Sequence, residues 1–168
     1  MKPLGLLLSG VGVVFGAGLA LGSRRRSQPF LGEAEDAAIA TTEPLFPVAQ
    51  NDLSGTDRRI IAALNLAWSR GARFVVTDAM RTEADQLRHL EDGTTTILDS
   101  LHLDGLAVDV APMRDDGQPE MHDLAQFRAL APRIKEAAED LQVPLRWLPD
   151  FEPEKHDYFH WYIRRGDA

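Results

Sequence analysis

Apolar residues return at helical spacing in two stretches of the chain. Ile60, Leu64, Ala67 and Trp68 mark the first, with Ser54 or Thr56 available as a cap and Gly71 placed to end it. Leu124, Phe127, Leu130, Ile134, Ala138 and Leu141 mark the second, over about residues 123–141, with Pro132 expected to kink or restart it. A further helix, running to about Asp92, opens on Thr82-Glu83-Ala84-Asp85, whose ends can exchange hydrogen bonds as a capping box. Elsewhere the pattern shortens. Residues 73–77 read as a strand through Phe74, Val75 and Val76, and residues 93–100 as a loop. In residues 106–111, Leu106, Val108 and Val110 alternate with Ala107, Asp109 and Ala111, which turns Asp109 away from the apolar face of a strand. Residues 143–148 and 158–163 complete the strand set. Helices interrupt these strands too irregularly for repeated βαβ units, so the predicted fold class is α+β, a small antiparallel sheet with flanking helices.

Upstream of this pattern, residues 3–22 are uncharged and rich in Leu, Val, Gly and Ala, about the length that spans a bilayer as a helix, and Arg24, Arg25 and Arg26 end the run. Three readings are open for residues 1–26: an uncleaved transmembrane anchor, a cleaved signal peptide, or a buried helix of a soluble domain. Lys2 and Gly18-Leu19-Ala20 supply a weak positive start and a small-residue cleavage region, but the arginines lie on the wrong side for a signal peptide. The positive-inside rule would keep those arginines in the cytoplasm, but the hydrophobic run alone leaves open on which side of the membrane the rest of the chain lies. Gly12 and Gly16, and again Gly18 and Gly22, have the GxxxG spacing that permits helix–helix self-association. Residues 27–50 carry Pro29, Pro44 and Pro47 without sustained periodicity and read as a linker. Residues 51–168 are then the expected single domain.

Composition narrows the chemistry. A net charge of −8 excludes nucleic acid as the main partner, because a nucleic-acid-binding domain presents a basic footprint to phosphates. The chain has no cysteine, so it can offer a metal only histidine and carboxylate. Ser100-x-His102, Asp109, and Asp157-x-x-His160 supply two imidazoles and a carboxylate as candidate zinc ligands, with one polar group left over. Catalytic zinc takes three protein ligands and keeps a position open for water, which makes a zinc hydrolase the hypothesis to test. Taken singly, His102 reads as readily as a hydrogen-bonded histidine and Asp109 as a structural carboxylate. In a regular strand His160 shares a face with Tyr158 and Tyr162, so Asp157 can face the same point only from a turn or bulge before the strand.

The order of these residues resembles a known family. Ser100-Leu101-His102-Leu103-Asp104-Gly105-Leu106-Ala107-Val108-Asp109 fits the SxHxxGxAxD pattern of the D-Ala-D-Ala/L-Ala-D-Glu zinc peptidases, especially their phage L-alanyl-D-glutamate endopeptidase branch. Thr77-Asp78-Ala79-Met80-Arg81-Thr82 is similar to that family's strand-then-helix segment with its arginine, Asp157-Tyr158-Phe159-His160 matches its DxxH element, and Trp147 stands where a tryptophan precedes it. Leu148-Pro149 and Phe159-His160-Trp161 depart from the Gly-Gly and Pro-His-Phe that the family often has.

The resemblance, covering about residues 51–163, implies a hedgehog/DD-peptidase-like fold with zinc on His102, Asp109 and His160. It also implies Asp157 as general base, Arg81 as the residue that holds or polarises substrate, and Ser100 and Trp147 beside the substrate. His156 is an alternative base, and His89, His122 and Asp150 read as solvated or loop residues. The implied activity is hydrolysis of a peptidoglycan stem peptide, most simply at L-alanyl-D-glutamate, by a protein anchored in the membrane or exported to the cell envelope. A D-Ala-D-Ala carboxypeptidase and a non-catalytic wall-binding or virion module of the same fold are the alternatives.

Overall fold

In the computed structural model, residues 32–49 and 53–168 are described, so the anchor, signal and self-association expectations on residues 1–26 lie outside them. Among the described residues no helix is long and apolar enough to cross a membrane. The elements are α1 (Glu33–Ala40), α2 (Arg58–Ser69), β1 (Phe74–Asp78), α3 (Glu83–Glu91), β2 (Ala107–Pro112), α4 (Leu124–Asp140), β3 (Arg146–Trp147) and β4 (His160–Tyr162), with short 3-10 turns after β3 and at the C-terminus. The strands form one antiparallel sheet in the order β1-β2-β4-β3, in keeping with the expected α+β class.

Strand alternation sorts the two faces. Phe74, Val76, Val108, Val110, Trp161 and Ile163 point into a buried cluster shared with Ile60 and Leu64 of α2 and Phe127 and Ile134 of α4. The opposite face carries Ala107, Asp109, His160 and Tyr162, and of these Ala107 and Tyr162 join Leu148 in a smaller cluster. The polar residues of the site therefore sit on the face that α2 and α4 leave uncovered.

Several local expectations change. The cap of α2 is Asp57 rather than Ser54 or Thr56, because Asp57 directly precedes the first helical residue and its carboxylate accepts the Arg59 N–H at 2.9 Å. Gly71, at φ +85°, ends the helix as expected: its N–H and that of Ala72 return to the Trp68 and Ala67 carbonyls. The capping box of α3 forms between Thr82 and Asp85. Helix α4 runs unbroken through Pro132, an exposed position, as is Arg128 one turn earlier, whose carbonyl loses its helical donor. Strands β3 and β4 are shorter than the apolar runs that suggested them, since Pro144 and Pro149 bracket β3 and residues 157–159 are irregular before β4.

The linker expectation fails for residues 32–49, which dock on the domain. Helix α1 packs on α2, and Arg70 ties both to α4 by pairing with Glu35 at 2.6 Å and Asp140 at 2.7 Å. The buried Asn65 amide accepts the Leu45 N–H and donates to the Glu43 carbonyl. Phe46 enters the core against Phe74, and residues 47–49 bond along the open edge of β1 at Val76.

Candidate metal centre

Three strands bring three polar residues into one row. In the ladder Asp109 lies opposite His160 on one side and Asp78 on the other, the second pairing following a bulge between Val76 and Asp78. His102 reaches the same point from the loop before β2. That loop is held by a close backbone crossing: Gly105, at φ +68°, sits so near the turn at Gly55 that a Cβ would come within 2.1 Å of the Gly55 carbonyl oxygen. The Asp57 N–H bonds the Gly105 carbonyl at 2.8 Å. Only glycine supplies both the left-handed backbone and the clearance.

His102 is 2% exposed. Its Nδ1 lies 2.6 Å from the Ala79 carbonyl, which can only accept, so Nδ1 carries the proton and Nε2 presents its lone pair to the centre. Nε2 is 3.3 Å from Nδ1 of His160 and 3.4 Å from Oδ1 of Asp109, and His160 Nδ1 is 3.1 Å from the same oxygen. Two donors on a tetrahedral ion with bonds of about 2.0–2.1 Å stand about 3.3–3.4 Å apart, so this triangle matches the ligand spacing of a zinc site. Among the described residues, His102, Asp109 and His160 are the group of histidines and carboxylates that could hold a metal ion. Burial works against charge at both His102 and Asp109. When Nε2 is protonated as well, its hydrogen bond and attraction to Asp109 outweigh burial, raising the His102 pKa and, with His160, driving the Asp109 carboxyl far below its usual range.

Asp157 lies in the segment before β4, half-buried, with Oδ1 accepting the Phe159 N–H at 3.3 Å. Burial and the negative charge of Asp109 raise its pKa, against the opposing pull of His160. His156, the alternative base, is exposed at φ +52° and shapes the turn. Ser100 accepts the His102 N–H at 3.3 Å, which builds the loop under the ligand.

Trp147 differs from the substrate-facing role expected of it. It is buried, stacks on Trp161, and donates its indole N–H to the Tyr158 carbonyl at 2.9 Å, which anchors the segment bearing Asp157. Arg81 is also more committed than a free substrate clamp. Its Nε and Nη2 bond Oδ2 of Asp78 at 2.6 and 2.5 Å, Nη1 bonds Gln86 at 3.2 Å, and Nη2 lies 3.6 Å from Oδ2 of Asp109. Asp78 and Gln86 were not anticipated, although a carboxylate ending the apolar run Phe74-Val75-Val76 was a signal for the first. Of the demoted residues, His89 bonds Thr94, His122 is exposed, and Asp150 pairs with Lys135.

A family profile described as phage L-alanyl-D-glutamate peptidase matches residues 51–163. The crystal structure of Serratia marcescens L-Ala D-Glu endopeptidase ChiX is similar in fold, with a TM-score of 0.62 and 23% identity over 76% of this chain and 95% of that one. No curated protein matches the chain.

Proposed function

The chain belongs to the phage L-alanyl-D-glutamate peptidase family, a family of peptidoglycan hydrolases, and from that premise we propose that it uses one zinc ion on His102, Asp109 and His160, with Asp157 as general base. The observation that carries the reading is the triangle of donor atoms at 3.1–3.4 Å. Held by His102, Asp109 and His160, a zinc ion would supply Lewis acidity for the scissile carbonyl and for activating the attacking water.

This chain's residues do the rest. Asp157 takes a proton from the attacking water and passes it to the amine of D-glutamate as the C–N bond breaks and a C–O bond forms, leaving a carboxylate on L-alanine. Its raised pKa suits a carboxyl that must both accept and return a proton. Nδ1 of His102, pinned to the Ala79 carbonyl, keeps the ring aimed, and Ser100 shapes the turn that carries it. The Arg81 charge beside Asp109 favours the negative charge that develops on the carbonyl oxygen.

Defined muropeptides incubated with the zinc-loaded protein test the scissile bond by mass spectrometry of the new termini. Cleavage between L-alanine and D-glutamate is expected, and release of terminal D-alanine alone would assign a carboxypeptidase instead. A stem-peptide substrate calls for work at the cell envelope, with residues 1–26 as anchor or export signal. A compartment-specific reporter fused after Ala168 tests this, and a signal confined to the cytoplasm would refute it.

A further inference from the structure

We infer that Asp78 is a positioning residue of the metal centre, holding the Arg81 guanidinium off the ligand carboxylate Asp109. The inference rests on the zinc reading above and adds to it a residue outside the ligand set.

Asp78 and Asp109 are direct partners across β1 and β2, an arrangement in which like charges repel. Arg81 lies between them and divides itself unequally. Both Nε and Nη2 go to Asp78 Oδ2, at 2.6 and 2.5 Å, while the distance to Asp109 is 3.6 Å, longer than a hydrogen bond. Asp78 is itself fixed, because its other oxygen accepts the Ala79 N–H at 2.9 Å, the residue whose carbonyl orients His102. Gln86, 1% exposed, completes the grip by accepting from Nη1 and donating to the Ile97 carbonyl.

Asp109 is divided in a corresponding way. Oδ1 faces the two histidines and Oδ2 faces Arg81. A guanidinium released by Asp78 needs to move by less than about 1 Å to form a charge-assisted pair with Asp109 Oδ2, and that pair weakens the metal's hold on Oδ1 by drawing charge from the shared carboxylate and turning it. Asp78 thus keeps the ligand available while leaving the positive charge near the reacting carbonyl.

The test measures zinc affinity by chelator competition on metal-free protein, independently of activity. Asp78→Asn keeps the shape and removes the charge that holds Arg81, and a 10–100-fold loss of affinity is expected, on the order found for groups that orient metal ligands. Asp78→Asn combined with Arg81→Met removes the competitor and should recover most of that loss while activity stays low. Gln86→Leu leaves every charge in place and should weaken zinc in the same direction by a smaller amount. It also carries the test if Asp78→Asn does not fold. Wild-type affinity in Asp78→Asn, no recovery in the double variant, or no loss in Gln86→Leu would each overturn the inference. Should the wild-type protein itself bind no zinc, the ligand reading fails and this one with it; if wild type binds and the variants bind equally well, only this one fails.

Discussion

Replacing Asp157 by asparagine separates proton transfer from metal binding and from folding, and the structure fixes the sign of each effect. The carboxylate sits in the segment before β4, where asparagine keeps the shape and an acceptor for the Phe159 N–H. Losing a positioned general base costs about 10²–10⁴ in rate, equivalent to about 2.7–5.5 kcal/mol in the barrier. Stability should go the other way. Burial and the Asp109 charge hold the Asp157 pKa up in the fold, so the ionised form is disfavoured there relative to the unfolded chain. That penalty is absent at acid pH below the ordinary carboxyl range, appears as pH rises through the unfolded value of about 3.9, and is fully present above the raised folded value. The metal-free Asp157→Asn protein should therefore be at least as stable as wild type at neutral pH, with the difference closing in acid. The assays are muropeptide hydrolysis at matched zinc content and urea unfolding of the metal-free proteins at both pH values. Activity within about threefold of wild type would remove Asp157 as the base. A metal-free variant clearly less stable than wild type at neutral pH would refute the electrostatic account.

Three further outcomes follow from the same geometry. His102→Ala should abolish stoichiometric zinc and with it hydrolysis, read by metal analysis of the purified protein; full zinc occupancy would exclude His102 as a ligand. Because Asp109 raises the His102 pKa despite burial, the metal-free ring still carries a proton just above its ordinary value of about 6.5 and must lose it to bind metal. Zinc uptake in that window should release protons, and affinity should rise with pH until the raised pKa is passed. Titration calorimetry in buffers of different ionisation heat checks this, and identical heats would contradict it. Gly105→Ala adds a Cβ 2.1 Å from the Gly55 carbonyl oxygen at φ +68°. Left-handed backbone costs about 1–2 kcal/mol and overpacking about 1–3 more, so a loss of about 2–5 kcal/mol is expected in thermal unfolding, and an unchanged midpoint would refute the close crossing.

What could be read from the chain was periodic, and what could not be read was long-range. The alternation in residues 106–111 marked Asp109 as the polar exception in an apolar strand, and that property survives any choice of sheet partner. The docking of residues 32–49 leaves no such mark. It depends on Arg70 meeting Glu35 and Asp140, on Asn65 meeting the backbone at Glu43 and Leu45, and on Phe46 filling space beside Phe74. Single contacts between distant positions have no period, and the prolines at Pro44 and Pro47 read as a linker when they in fact lead along a strand edge. Trp147 shows the same limit from the other side, since an aromatic near a motif looks alike in sequence whether it meets a substrate or the Tyr158 carbonyl. Arg81 is the sharpest case. Asp78 lies only three residues upstream, as the last residue of β1, and Arg81 stands in the irregular segment before α3, so no single periodic element marks the two as partners although their side chains meet. In that segment Arg81 has Asp78 as a close partner on one side and Asp109, the proposed metal ligand, on the other, and its function is governed by which carboxylate holds it.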